Sequence, residues 1–189
     1  MILMIALVMG LAAPPAWAGF EEGVAAYERG DYETALREWR PLAEQGYAEA
    51  QFNLALMYDE GKGVTQDYAE AERWWRKAAE QGLAQAQHNL GYMYDKGHGV
   101  TQDYVEAVKW YRIAVEQGFS IAQNNLGFMY HNGRGVTQDY VQAHMWYNLA
   151  AAQGHELART NRNLVAKRMT PEQIAEAQRL AHVWKPKVE

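Results

Sequence analysis

The side chains that could serve as nucleophiles, metal ligands or general acids in this 189-residue chain are few and poorly spaced for catalysis. Ser120 is the single serine. It lies just before an expected helix, where an N-cap role accounts for it, and neither S-x-x-K nor G-x-S-x-G surrounds it. The six histidines, His88, His98, His131, His144, His155 and His182, show no H-E-x-x-H or other ligand spacing. Cysteine is absent, which removes thiolate metal sites and disulfides. Carboxylates are numerous, but none is paired with another in an apolar surround that would split their acidities. Lys62, His98 and Arg134 each stand between two glycines. A glycine-flanked backbone can cradle an anion, yet no phosphate-loop pattern accompanies these, and a turn between helices needs the same glycines. Trp74, Trp110 and Trp146 recur like a sugar-stacking platform, or like rings that fill the groove between packed helices; the flanking alanines favour the second. These residues point to no enzyme, no cofactor and no metal, and to a surface as the working part.

The elements that carry them repeat. Gly61-Lys-Gly-Val-Thr-Gln-Asp-Tyr68, Gly97-His-Gly-Val-Thr-Gln-Asp-Tyr104 and Gly133-Arg-Gly-Val-Thr-Gln-Asp-Tyr140 are spaced by 36 residues, and Gln-Gly pairs ending at Gly46, Gly82, Gly118 and Gly154 keep the same register. Such a period predicts a solenoid, whose units bury their apolar faces against their neighbours. Within a unit the apolar residues recur at three and four, which predicts two helices. In the second copy helix A spans about Ala84 to Asp95 and helix B about Tyr104 to Gln117. Asp67, Asp103 and Asp139 are expected N-caps, with Glu70, Glu106 and Gln142 closing capping boxes. Gly82, Gly118 and Gly154 are expected to end each helix B in the left-handed conformation.

Around helix A the three copies agree on one arc and differ on the other. Ala50, Ala86 and Ala122, then Leu54, Leu90 and Leu126, Met57, Met93 and Met129, and Tyr58, Tyr94 and Tyr130 form the agreeing arc, which is read as packing. Ala55, Gly91 and Gly127 lie at its edge, small enough for a close approach. The differing arc carries Glu49, Gln85 and Ile121; Phe52, His88 and Asn124; and Leu56, Tyr92 and Phe128. Packing demands sameness from unit to unit, whereas a binding surface is free to vary. These nine residues are the candidate binding face, with Leu56, Tyr92 and Phe128 as an apolar and aromatic ladder along it.

The segment Ala84 to Gly118 resembles the Sel-one-like repeat, a relative of the tetratricopeptide repeat, through A-x-A-Q-x-N-L-G-x-M-Y-x-x-G-x-G-V-x-Q-D-Y-x-x-A-x-x-W-Y. The resemblance covers three copies, 47–82, 83–118 and 119–154. It implies an all-α fold, an α/α solenoid wound as a right-handed superhelix of about five antiparallel helix pairs. Residues 19–46 read as a shortened N-terminal cap and residues 155–189 as a divergent C-terminal helix pair and tail, with Arg162 and Asn163 where Leu and Gly belong. The resemblance also implies a non-catalytic scaffold for protein assembly, its partner a protein or peptide on the concave helix-A face. The alternative is a peptidoglycan- or polysaccharide-associated module, a class that includes an enzyme of unknown type.

Charge and the first residues bear on place. Residues 19–154 hold 11 Lys and Arg against 19 Asp and Glu, while 155–189 hold 7 against 4. An acidic body excludes nucleic acid as a partner, since phosphates need a basic face. Residues 1–18 are free of charged side chains and end in Ala16-Trp17-Ala18, which predicts a signal peptide cleaved after Ala18 and a periplasmic or secreted protein without an integral membrane span after cleavage.

Overall fold

The computed structural model describes residues 15–187, and all of its regular structure there is helical. Ten helices follow one another: α1 (Pro15–Glu28), α2 (Tyr32–Glu44), α3 (Ala48–Glu60), α4 (Tyr68–Glu80), α5 (Ala84–Lys96), α6 (Tyr104–Glu116), α7 (Ser120–Asn132), α8 (Tyr140–Ala152), α9 (Glu156–Ala166) and α10 (Pro171–Val183). The signal-peptide reading rests mostly on residues outside the described range; its cleavage point falls in the first turns of α1. Among the described residues no helix is long and apolar enough to cross a membrane.

Local chemistry sets each boundary. The Asp67 carboxylate accepts from the backbone N–H groups of Ala69 and Glu70, Asp103 accepts from Val105 and Glu106, and Asp139 from Gln142, so each helix B starts on a side-chain cap. The expected reciprocal half is missing there. Glu70 and Glu106 turn forward to Arg73 and Lys109 at 2.6 and 2.8 Å, because a basic residue one turn on offers a better partner than the cap's own N–H. Thr170 and Gln173 do form a complete box at α10. Ser120 is not an N-cap either: it is the first residue of α7, and Phe119 holds the cap position without a side-chain bond. Gly82 closes α4 at φ +95°, and a Cβ there would meet nothing within 4 Å. Gly82→Ala is thus expected to cost the conformational penalty alone, about 1 kcal/mol, and a urea midpoint unchanged by the substitution would show that the turn tolerates a side chain.

The agreeing arc packs as its sameness suggests. Ala50, Ala86, Ala122, Leu54, Leu90, Leu126, Met57, Met93 and Met129 are all at most 1% exposed. Gly91 and Gly127 are the close-approach points, since a Cβ on either would stand 2.8 Å from the ring of Tyr111 or Tyr147. Gly23 does the same work in the first pair, where a Cβ would lie 2.3 Å from the Trp39 ring. Tyr58, Tyr94 and Tyr130 are a partial exception. They are half-buried, and their hydroxyls accept from Arg40, Arg76 and Arg112 at 3.3, 2.7 and 2.8 Å. A phenol needs a polar partner, so these rings stop at the rim, where an arginine from the preceding helix reaches them.

Units are joined by a glutamine ladder. Gln81, Gln117 and Gln153 donate to the side-chain oxygens of Gln51, Gln87 and Gln123 at 2.8, 2.8 and 3.0 Å. Gln51 and Gln87 in turn donate to the backbone oxygens of Ala43 and Ala79, at the C-terminal ends of α2 and α4. Helix ends leave carbonyls unpaired, and here the next unit satisfies them.

The fifth pair is the least regular. Helices α9 and α10 both pack on α8 and share little with each other. Asn163 holds the register of Gly91 and Gly127, so the close approach open to the earlier pairs is closed here. Helix α10 settles on α8 instead, with Trp184 edge-on to Trp146 at 5.7 Å and the Lys187 N–H bonded to the Glu116 carbonyl oxygen at 2.7 Å.

Candidate functional site

The repeated loop is built for joining units. Gly61, Gly97 and Gly133 end each helix A in the left-handed region, the Gln of Thr-Gln-Asp donates to a last-turn carbonyl (Gln66 to Asp59, Gln102 to Asp95, Gln138 to His131), and Asp then caps helix B. The residue between the glycines reaches back onto the first tyrosine of the preceding helix B. Lys62 Nζ lies 5.3 Å from the Tyr32 ring centre, His98 stacks on Tyr68 at 5.5 Å, and the Arg134 guanidinium lies 5.3 Å from Tyr104. The row Lys62, His98, Arg134 is therefore occupied in cation–π and ring contacts between units, not arrayed around an anion.

Two hollows open in register along the helix-A face. The first, of about 390 Å³, is walled by Leu56, Asp59, Tyr68, Trp75, His88 and Tyr92, with His98 at its edge. The second, of about 340 Å³, is walled by Tyr92, Asp95, Tyr111, Asn124, Asn125 and Phe128, and by Leu157 and Asn161 from α9. Leu56 lines the first, Phe128 the second and Tyr92 both, so the three residues follow one line along the pair of hollows. Tyr92 is 42% exposed and stands between the two hollows. Leu56 and Phe128 are half-buried and also lean on the core.

The other members of the expected face divide. His88 and Asn124 line the hollows but are tied into a chain of polar side chains that crosses unit boundaries. Asn161 donates to Asn124 at 3.1 Å, Asn124 to Asn125 at 3.3 Å, Asn125 lies 3.0 Å from His88 Nε2, and His88 Nδ1 lies 3.0 Å from the Asn89 side-chain oxygen. Asn125 offers an amide N–H to Nε2, so Nδ1 carries the single proton and the ring is neutral. Burial pushes its pKa down to about 4, against the weaker upward pull of the Asn89 bond. Phe52 turns from the open face and packs on Trp75 at 6.4 Å between ring centres. Glu49 is exposed beside a separate shallow hollow with Gln45, Tyr47 and Gln81, at the far end of α3. Gln85 and Ile121 are half-buried in the same register of α5 and α7, away from both hollows.

Residues outside the expected face matter to the hollows. Asp59 and Asp95 hold equivalent positions and point chemistry into them. Asp95 is 5% exposed; Lys96 Nζ approaches its Oδ2 at 2.6 Å and Arg134 its Oδ1 at 4.0 Å. The Tyr111 hydroxyl is buried beside Asn125, and burial, with the Asp95 charge nearby, pushes its pKa up against the weaker downward pull of Asn125. Their shared signal was the Asp in Met-Tyr-Asp of two successive copies, which helix arcs alone assign to a last turn. Among the described residues no group of three His, Asp or Glu side chains could hold a metal ion.

Known proteins share this architecture. The Sel1 repeat matches residues 48–83, 84–119 and 120–155. A protective antigen of uropathogenic Escherichia coli with an SLR fold superposes with a TM-score of 0.79 at 41% identity, over 88% of this chain and 38% of that one. A Sel1 repeat protein from Oxalobacter formigenes gives a TM-score of 0.72 at 38% identity, over 77% of this chain and 60% of that one. An exopolysaccharide production negative regulator from Rhizobium leguminosarum bv. viciae is 44% identical over 48 residues, 25% of this chain and 18% of that protein. The chain thus spans less than two thirds of the length of each of these relatives. Three matched repeats and a shared solenoid place it: the chain belongs to the Sel1 repeat family.

Proposed function

We propose that this chain is a non-catalytic scaffold of the bacterial cell envelope, holding a segment of a partner protein along its helix-A face. Sel1 repeat proteins are protein-interaction scaffolds, which supports the mode of action. The observation that carries the reading is the pair of hollows one repeat apart, joined by Leu56, Tyr92 and Phe128. An extended segment or a helix can place successive side chains in such a series, and exposed aromatic anchors supply much of an interface's energy. The charge-free first 18 residues support export.

Tyr92 is the clean probe, because Leu56 and Phe128 also support the core. A photo-crosslinking amino acid at position 92 is expected to capture a discrete protein from envelope extract, and one at Val105, 53% exposed on α6, is not. Tyr92→Ser is expected to weaken capture by roughly tenfold while stability stays within about 0.5 kcal/mol. Equal capture from both positions, or undiminished capture by the serine variant, overturns the reading; capture of glycan in place of protein selects the cell-wall alternative.

A further inference from the structure

We propose that the hollow between Leu56 and Tyr92 is a socket for a cationic side chain, the guanidinium or ammonium of an Arg or Lys on the bound segment. The inference rests on the groove reading above and names what one part of the groove takes. The first observation is that each neighbouring junction already holds such a cation, supplied by the chain itself. At the next junction the Arg134 guanidinium lies 5.3 Å from the Tyr104 ring and 5.2 Å from the Phe128 ring, with the Asp95 carboxylate 4.0 Å away. At the preceding junction Lys62 lies 4.8 and 5.3 Å from the rings of Tyr27 and Tyr32 and 2.7 Å from Glu60. Two rings, a carboxylate and a cation form the joint in both.

The middle junction has the same walls. Tyr68 stands where Tyr104 does, Tyr92 where Phe128 does, and Asp59 where Asp95 does. The cation's place is taken by His98, a shorter ring that lies flat on Tyr68 at 5.5 Å and edge-on to Tyr92 at 6.0 Å. Asp59 is the second observation. Asp95 has Lys96 and Arg134, but among the described residues the Asp59 carboxylate takes part in no hydrogen bond or ion pair. It is half-buried, and burial, reinforced by Glu60 and opposed by His98, raises its pKa. A half-buried carboxylate without a partner is costly, and a cation delivered to it from outside relieves that cost. Trp75 and Tyr92 supply the aromatic walls over which guanidinium and ammonium groups bind. The acidic body, 11 basic against 19 acidic residues over 19–154, draws a basic segment toward it.

The test uses the full chain and two small probes, Nα-acetyl-L-argininamide and its neutral isostere Nα-acetyl-L-citrullinamide, followed by amide and indole shifts in NMR titrations. The arginine probe is expected to shift the Trp75 indole and the Tyr92 region with a dissociation constant of order millimolar, roughly tenfold tighter than the citrulline probe. Asp59→Asn is expected to abolish that preference. His98→Arg is expected to block the arginine probe with the fold intact, because the new side chain supplies the cation from within, as Arg134 does between Tyr104, Phe128 and Asp95 at the next junction. Equal binding of the two probes, undiminished binding by Asp59→Asn, or no shift with either overturns the socket. Shifts produced by N,N′-diacetylchitobiose and not by the arginine probe overturn it in favour of a glycan site. If argininamide fails while Tyr92→Ser still loses its protein partner, the socket falls and the groove stands; the reverse result separates them the other way.

Discussion

Gly135→Ala is expected to destabilise the array by more than about 3 kcal/mol, several times the cost of the same change at Gly82. Both glycines have positive φ, +67° at Gly135 and +95° at Gly82, so the conformational penalty is common to both. The surroundings differ. A Cβ at Gly135 would lie 2.1 Å from the Tyr104 carbonyl oxygen and 2.4 Å from its carbon, whereas one at Gly82 meets nothing within 4 Å. Backbone atoms in the first turn of α6 cannot swing aside as a side chain can, so the third unit must shift away from the second. That shift would strain the Arg134 contact with Tyr104 and the bond from Gln153 to the Gly118 carbonyl oxygen together. Gly99 and Gly63, with closest approaches of 2.6 and 2.9 Å, are expected to follow in that order. Urea unfolding of the three alanine variants checks the series. Because a repeat array holds together through its neighbour interfaces, the Gly135 variant is also expected to lose its C-terminal third in a separate, earlier transition. A loss near 1 kcal/mol at Gly135 would show that the units slide past each other without penalty.

The fold was legible because its determinants are local and repeated. Asp67, Asp103 and Asp139 announce helix starts, Gly82, Gly118 and Gly154 announce ends, and the alanine, leucine and methionine stripe is the same in every copy. What arcs could not show is which partner a polar side chain chooses. The ladder from Gln81 to Gln51 joins residues 30 apart in different helices, and nothing in either segment alone specifies the pairing. The same holds for Lys62, His98 and Arg134. Their sequence context describes a turn, and only the superposed register of successive units puts each on the tyrosine of the unit before.

The candidate face was legible in part for the same reason. Leu56, Tyr92 and Phe128 lie on one line because equivalent positions stack in a solenoid, and the two hollows follow that line. Phe52 could not be separated from them by helical angle: it faces outward by periodicity, but Trp75 offers it a ring to pack on. Asp59 escaped notice because its interest lies in what is missing. Its counterpart Asp95 is neutralised by the next residue and by a loop one unit on, and the sequence shows neither contact until the units are stacked.

His88 makes the stability of the array depend on pH in a window that its counterpart Asn124 does not share. The ring is neutral in the folded chain, with Nδ1 toward Asn89 and Nε2 receiving the Asn125 amide, and it packs between Tyr111 and Phe119 at 5.8 and 5.5 Å. Protonation would turn Nε2 into a donor facing another donor, inside a surround of rings and amides that offers no counter-charge. Burial accordingly holds the pKa at about 4, below the ordinary 6.5. The unfolded chain binds the proton at pH 6.5 and the folded chain resists it until pH 4, so stability is full above pH 6.5 and falls as the pH drops toward 4. The difference amounts to about 3 kcal/mol across that window. His88→Asn installs the residue that unit three already uses at this position, keeps an amide toward Asn125, and removes the proton site. The variant is expected to be somewhat less stable at pH 7.5, for loss of the ring, yet to lose about 2 kcal/mol less than the parent chain between pH 7 and pH 4.5. His131 and His144, whose pKa values burial also lowers, are present in both proteins and drop out of the comparison. Parallel stability curves for the two proteins would show that His88 takes up its proton in the folded state, and that the polar chain from Asn161 to Asn89 rearranges to accept it.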